Sequence, residues 1–277
     1  MRGFGWKRKG RESGAERVRP LAAGPAVERA ASLYLDLLKR CLTRVLFPDE
    51  SMQADLTTKK PFDSTLRDEG RDWPTLAETM IGMRRMDNLE ASVREVLETG
   101  VPGDLVETGV WRGGAAILMR AVLEAYGVTD RKVWLADSFE GLPKPDVERY
   151  PLDAGDIFHS YNPFLGVSLD TVRENFRRYG LLDDQVRFLP GWFRDTLPGA
   201  PIDRIAVLRL DGDMYGSTME ALTGLYDRVS PGGHVIVDDY GEVPGCRAAV
   251  TDFRERRGID APLRIIDASG VFWRKTD

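Results

Sequence analysis

The sequence predicts an α/β fold built on a mostly parallel, seven-stranded sheet. Five short runs rich in valine, leucine and isoleucine alternate with helical patterns in the part of the chain that follows residue 103. Strands of parallel sheets read as nearly continuous apolar runs, because helices cover both faces of the sheet. Two further strand candidates near the C-terminal end, "PLRIID" and "GVFWRK", are close enough in sequence to form a hairpin.

The elements of this fold can be assigned in chain order. The parallel strands are expected at "DLVETG", "KVWLADSF", "QVRFLPGW", "RIAVLRLDGD" and "GHVIVDDYG". Helices are expected over residues 113–126, 168–179 and 217–229, with another at "GCRAAVTDFRERRG". Ligands of open parallel sheets bind beyond the carboxyl ends of the strands, so the functional side chains are expected where these apolar runs end.

The part of the chain before this sheet has a different character. We interpret the basic, glycine-rich residues 1–27 as a disordered tail. Residues 28–100 form an N-terminal helical segment, in which "DNLEASVREVLETG" predicts a helix with Asp87 and Asn88 as candidate caps. The polar stretch 48–72 of this segment reads as a loop or mobile segment. The sheet domain is then expected over residues 101–277.

Composition excludes several classes of protein. The 277-residue chain has a net charge of −5, which argues against a nucleic-acid-binding footprint. Its two cysteines, Cys41 and Cys246, define no disulfide framework or zinc set, and its two histidines exclude a histidine-rich metal site. No apolar stretch approaches the ~18 residues that span a bilayer, so we expect a cytoplasmic protein.

The ends of the first two strands suggest a cofactor. In "VETGVWRGG", Gly109 could let a ligand approach the backbone, although a tight turn would also need glycine. Asp137 closes the second strand, where a carboxylate can accept hydrogen bonds from ribose hydroxyls. Together with Glu107 it would repel a pyrophosphate but tolerate a sugar and a cation. These properties fit S-adenosylmethionine, and Trp192 is a candidate wall for its adenine, although a core position would suit this tryptophan equally.

The ends of two later strands carry an excess of acid. Asp211, Asp238 and Asp239 are expected on the same edge of the sheet, where their mutual repulsion requires a positive partner. Carboxylate oxygens are hard ligands that suit Mg²⁺, Ca²⁺ or Mn²⁺. We therefore predict a divalent metal site, and assign the neighbouring Asp213 to capping the helix that follows it.

Several stretches together resemble the macrocin O-methyltransferase family, whose members methylate sugars in antibiotic biosynthesis. They are "TMIGMRRMDNLE", "DLVETGVWRGG", "LADSFEGLP", "VRFLPGWFRDTLP", "IAVLRLDGDMYGSTMEALTGLY" and "SPGGHVIVDDYG". The resemblance covers about residues 32–277. It implies a class I methyltransferase fold, S-adenosylmethionine as donor and Mg²⁺ on the hydroxyls of a deoxysugar. It also implies a homodimer or larger assembly, in which the N-terminal segment is part of the substrate lid.

The resemblance also assigns site residues. The implied cofactor contacts are Met80, Glu107, Thr108, Gly109, Asp137, Ser138 and Phe139, to which the sequence adds Trp192. The implied metal ligands are Asp211, Asp238 and Asp239. Asp211 is our first candidate for the base that deprotonates the acceptor hydroxyl. His159 is the second, because it lies in the segment 146–167, where substrate-reading residues are expected.

Three functions fit these residues. The first is a sugar O-methyltransferase whose partner is a small glycoside. The second is a metal-dependent methyltransferase acting on a catechol-like phenol, since adjacent hydroxyls on either scaffold could chelate the metal. The third is a non-catalytic protein that binds S-adenosylmethionine. The acidic residues argue against the third, because cofactor binding does not need them, and the family resemblance favours the first.

Overall fold

The computed structural model describes residues 24–276. Most of the predicted disordered tail, residues 1–23, lies outside the described residues. The remaining residues of that predicted tail open the first helix, α1 (Pro25–Leu42), which therefore begins earlier than expected.

A seven-stranded sheet forms the centre of the molecule, as the sequence predicts. Its strand order is β6-β5-β4-β7-β8-β10-β9. The strands are β4 (Asp104–Thr108), β5 (Val133–Asp137), β6 (Val186–Pro190), β7 (Ile205–Leu210), β8 (Val229–Val237), β9 (Arg264–Ile265) and β10 (Val271–Arg274). The first five are parallel, and β10 pairs antiparallel with both β8 and β9. The predicted terminal hairpin is therefore present.

Helices cover both faces of this sheet. Those that follow α1 are α2 (Ser64–Asp68), α3 (Gly82–Glu98), α4 (Gly114–Ala125), α5 (Asn162–Leu165), α6 (Leu169–Arg178), α7 (Phe193–Thr196), α8 (Tyr215–Leu225) and α9 (Pro244–Arg257). The expectation that Asp87 or Asn88 caps α3 is wrong, because the helix already begins at Gly82. Asp87 instead forms an ion pair with Lys39 of α1.

The hydrophobic core has one part on each face of the sheet. Leucines of α1 and α3, including Leu35, Leu42 and Leu89, pack with α4 and α6 against one face. Helices α8 and α9 cover the other face. Because α1 and α3 share a core with the sheet, the N-terminal segment is built into the same body rather than attached beside it.

The polar stretch 48–72 is more than the loop expected from sequence. It contains α2 and the strands β1 (Ser51–Met52) and β2 (Lys59–Lys60), which form a small antiparallel sheet with β3 (Trp73–Pro74). Arg67 is fully buried there, with ion pairs to Asp49 at 2.7 Å and Asp72 at 2.9 Å. Two-residue strands leave no periodic pattern in a sequence, which explains why this small sheet was not predicted.

None of the helices in residues 24–276 combines the length and apolar character that crossing a bilayer requires.

Candidate active site

A cavity of about 580 Å³ lies at the carboxyl ends of the parallel strands, where the sequence places the functional residues. The loops that follow β4, β5, β6, β7 and β8 all contribute to its lining, and so does the N-terminal segment from residue 70 to residue 81. The carboxyl ends of parallel strands are where the backbone turns away from the sheet, which leaves room for a ligand.

The loop after β4 turns at Gly109, whose φ is +82°. A Cβ at this position would lie 1.6 Å from the backbone oxygen of Asp211, because the loop after β7 crosses at this point. Asp211 N also donates a hydrogen bond to Thr108 O at 2.8 Å. Glycine is therefore required by the crossing of two loops, and its contact with a ligand stays a prediction.

Residues 78–81 are held against the start of α4. Gly114 N donates to Glu78 O at 2.9 Å, and a Cβ on Gly114 would lie 2.6 Å from the same oxygen. This close packing brings Met80 to the cavity wall, as the family resemblance implies.

Asp137 is held by backbone N–H groups of the loops that follow β4 and β5. Its Oδ2 accepts a hydrogen bond from Val110 N at 2.6 Å, and its Oδ1 accepts one from Phe139 N at 2.7 Å. Burial raises the pKa of this carboxyl, and the backbone hydrogen bonds act in the opposite direction. Each carboxylate oxygen can accept a further hydrogen bond, so a held Asp137 can still bind a ligand hydroxyl.

Most of the implied cofactor residues reach the cavity. Those that line it are Met80, Glu107, Gly109, Asp137, Ser138 and Trp192. Thr108 and Phe139 do not line it. Thr108 is fully buried in the sheet, and the ring of Phe139 packs against that of Phe188 with centroids 6.3 Å apart.

Arg209 is a cavity residue that sequence analysis missed. It is 2% exposed, and its Nη1 donates to Glu107 Oε1 at 2.6 Å. Its Nη2 pairs with Asp211 Oδ2 at 2.9 Å and with Asp238. Burial raises the pKa of Glu107 to about 8, although Arg209 opposes this shift. The available signal was an arginine inside the otherwise apolar run "IAVLRL".

A cluster of three carboxylates lies beside this arginine. Asp211, Asp213 and Asp239 each offer one oxygen, and these oxygens lie within 4.8 Å of one another. Burial and the neighbouring carboxylates raise the pKa of Asp211 to about 6 and that of Asp213 to about 8, and they raise that of Asp239 well above its usual value. Such mutual repulsion favours the binding of a cation.

The expectation that Asp213 caps the following helix is wrong. Helix α8 begins at Tyr215, and its free N–H groups are instead satisfied by Asp153, which accepts from Tyr215 N at 2.8 Å and Gly216 N at 2.9 Å. Asp213 adopts a left-handed backbone conformation with φ of +57° and belongs to the acidic cluster. The cap could not be found from sequence, because Asp153 belongs to a distant segment.

Asp238 differs from the other implied metal ligands. It lines the cavity, but its Oδ1 is paired with Arg209 and its Oδ2 with Arg85. Arg85 also pairs with Asp267 at 3.0 Å and donates to Gly70 O at 2.9 Å. The acidic cluster therefore contains Asp213 where the sequence placed Asp238, and metal ligation by Asp238 stays a prediction.

The two candidate bases occupy different positions. Asp211 lines the cavity, whereas His159 lies in a short 3₁₀ turn (Phe158–Tyr161) and is not part of the lining. The other histidine, His234, is buried in β8 and stacks on Phe272 with ring centroids 5.9 Å apart. It does not line the cavity.

Comparison with known proteins identifies relatives along almost the whole chain. The family described as macrocin O-methyltransferase (TylF) matches residues 31–275. A tetracenomycin-C 4′-O-methyltransferase from Streptomyces olivaceus, named for its dimethoxy-rhamnosyl substrate, is 56% identical over 90% of this chain and 95% of its own length. Mycinamicin III 3″-O-methyltransferase from Micromonospora griseorubida is 54% identical, over 88% of this chain and 96% of its own.

Solved structures give the same result. The O-methyltransferase NovP superposes with a TM-score of 0.85 at 51% identity, covering 89% of this chain and all of its own. The calicheamicin methyltransferase CalS11 superposes with a TM-score of 0.53 at 21% identity, covering 92% of this chain and 94% of its own, which supports the fold alone. The chain therefore belongs to the macrocin O-methyltransferase family and is an O-methyltransferase with the class I methyltransferase fold.

Proposed function

We propose that this enzyme transfers the methyl group of S-adenosylmethionine to a sugar hydroxyl of a glycosylated natural product, with Mg²⁺ bound beside the acceptor. The observation that carries this proposal is that an acidic cluster and most of the implied cofactor residues line the same cavity. The relatives support the substrate class, since one is named for a rhamnosyl-tetracenomycin and others for mycinamicin III and demethyldecarbamoylnovobiocin.

Several groups on the β4 and β5 side of the cavity suit the donor. Glu107 is buried in the lining, and its Oε2 has no hydrogen-bond partner in the described part of the chain. A buried carboxylate oxygen without a partner suits an ammonium group, such as that of the methionine part of the donor. Asp137 offers its remaining lone pairs to the ribose hydroxyls, and Met80 and Trp192 give apolar walls. S-adenosylmethionine, when bound, supplies the methyl group.

The acidic cluster suits Mg²⁺. Its donors are oxygens only, which excludes a preference for soft metals, and three neighbouring half-buried carboxylates need a cation to offset their repulsion. Asp211, Asp213 and Asp239 would hold the ion. Mg²⁺, when bound, lowers the pKa of an acceptor hydroxyl and orients it.

Proton acceptance falls to a carboxylate of the cavity. Asp211 remains our candidate, and Asp213 is a second one beside it. His159 is less suited because it does not line the cavity. Residues 70–81 form part of the wall, which supports a lid role for the N-terminal segment. A homodimer or larger assembly stays an expectation from the family resemblance.

The test is mass spectrometry of a panel of deoxysugar glycosides incubated with donor and Mg²⁺. We expect a gain of one methyl on the sugar, loss of activity with EDTA, and recovery when Mg²⁺ is restored. The substitution Asp239→Asn should lower the rate at least about a hundredfold, because it removes a charge that holds the ion. Asp170→Asn, which changes an exposed aspartate of α6, is the matched control and should leave the rate unchanged.

The outcomes separate the parts of the proposal. Full turnover in excess chelator would refute the metal requirement but leave the methyltransferase intact. Methylation of catechol-like phenols with no reaction on any glycoside would refute the sugar and favour the phenol alternative.

A further inference from the structure

Arg209 lies between two halves of the cavity. The donor side contains Glu107 and Asp137, and the acidic side contains Asp211, Asp213 and Asp239. Arg209 is on β7, the strand between β4 and β8, and it is the direct register partner of Glu107 on β4. On its other side, β8 ends at Val237, so Asp238 follows immediately. The sheet therefore places one guanidinium between a carboxylate of the donor side and carboxylates of the acidic side.

The two terminal nitrogens of the Arg209 guanidinium bond to different halves of the cavity. Nη1 bonds to Glu107, whereas Nη2 bonds to Asp211 and Asp238. A guanidinium is planar and rigid, so fixing one of its nitrogens also fixes the directions of the other. The positions of the carboxylates on both sides are thus linked through one group.

Charge makes this link strong. Arg209 faces three carboxylates, of which Asp238 also pairs with Arg85, and Arg209, Glu107 and Asp238 are each buried to within a few percent of complete burial. A buried carboxylate that loses its cation must move, take up water or bind a proton. Loss of Arg209 would therefore alter the donor side and the acidic side together.

We propose that Arg209 is a positioning residue that holds the cofactor half and the metal half of the cavity in register. It acts through Glu107 on one side and through Asp211 and Asp238 on the other, without contacting the reacting atoms. This inference rests on the proposed function, since it takes Glu107 as a donor contact and the acidic cluster as a metal site.

The experiment measures binding of two probes separately, without turnover. S-adenosylhomocysteine binding is followed by calorimetry, and Mn²⁺ binding by electron paramagnetic resonance. Arg209→Met should weaken both affinities, each by about tenfold or more, since each half loses at least one hydrogen bond to a charged group. Arg209→Lys keeps the positive charge but loses the planar fork of guanidinium donors. We therefore expect both affinities to fall, but by less than in Arg209→Met.

Matched variants show whether the double effect is specific. Glu107→Gln should weaken only S-adenosylhomocysteine, and Asp239→Asn should weaken only Mn²⁺. Arg120→Lys is the control, because Arg120 is also a buried arginine held by carboxylates, Asp183 and Glu124, but it lies outside the cavity lining. It should change neither affinity.

Several results would overturn the inference. One is wild-type affinity for either probe in folded Arg209→Met. Another is wild-type affinity for both probes in Arg209→Lys, which would assign the effect to charge rather than to the fork. Circular dichroism melting establishes folding, and Arg209→Lys carries the test if the methionine variant does not fold. A wild-type protein that binds neither probe would refute the proposed function itself, and this inference with it.

Discussion

Arg67 and Arg209 are both fully buried arginines held by carboxylates, yet they lie in regions with different roles. Arg67 pairs with Asp49 and Asp72 in the small N-terminal sheet. Arg209 pairs with carboxylates of the central sheet, namely Glu107, Asp211 and Asp238. The chemistry of the two groups is the same, and the difference lies in how completely their partners are satisfied.

Around Arg67 the carboxylates find additional donors. Asp72 also accepts from Ser51 Oγ, and Asp49 also accepts from Leu76 N at 2.6 Å. Around Arg209, by contrast, Glu107 keeps one oxygen with no partner among the described residues. A polar network that is satisfied internally stabilises a fold, whereas one with unused acceptors can bind a ligand.

The largest effect predicted from this comparison is on stability at Arg67. Arg67→Met should lower the free energy of unfolding by about 3–5 kcal/mol, because it leaves two buried carboxylates without their cation. Urea denaturation measures this change. Lys59→Met, at an exposed ion pair with Glu50 (3.6 Å), is the control and should cost at most about 1 kcal/mol. A similar small cost at Arg67 would contradict the structural role given to its network.

The next largest predicted effect is on cofactor affinity at Asp137, a carboxylate that shares features with both the Arg67 and the Arg209 networks. It is held by two backbone amides but lines the cavity. Asp137→Ala should raise the dissociation constant of S-adenosylhomocysteine at least about tenfold, because hydrogen bonds to a charged group are lost. Calorimetry on the folded variant gives the result.

A matched control for Asp137 exists at the opposite end of the sheet. Asp104 also accepts two hydrogen bonds, from Lys132 N at 2.9 Å and Trp134 Nε1 at 2.7 Å, but it does not line the cavity. Asp104→Ala should destabilise the protein without changing the affinity. Equal losses of affinity in the two variants would show that the effect of Asp137 is general rather than local.

The smallest predicted effect is a gain in stability, at Asp213. Asp213→Asn should stabilise the metal-free protein by about 1 kcal/mol, because it removes one of three half-buried, mutually repelling charges. Urea denaturation in EDTA tests this. Excess Mg²⁺ should then stabilise the wild type more than the variant, since only a ligand that binds the folded state adds stability. Destabilisation in EDTA would place Asp213 with the Arg67 network, as a satisfied structural group.

The sequence allowed prediction of the parts of this molecule that depend on local pattern. Each parallel strand is a mostly apolar run, and β4, β5, β7 and β8 end in or just before polar residues that the topology brings to one edge. The pattern could not reveal Asp153 as the cap of α8, because that contact joins residues far apart in the chain. It also gave Asp213 the wrong role, because a capping residue and a cavity carboxylate look alike before a helix.

Burial explains the remaining misses. Arg67 lies in a polar stretch of the sequence and Arg209 is a single charge in an apolar run, and only the folded chain shows that both are buried where a charge requires a partner. Only the folded chain shows that the loop after β7 also requires glycine at position 109.

The crossing at Gly109 has a consequence for redesign of this enzyme. Because the loop after β4 contacts the Asp211 backbone, any side chain at position 109 would push the loop after β4 and the loop after β7 apart. The two loops are therefore coupled, and replacing either one alone with an unrelated loop would strain the other. New acceptor preferences are better sought by substitutions within residues 146–167 that keep Asp153, the cap of α8.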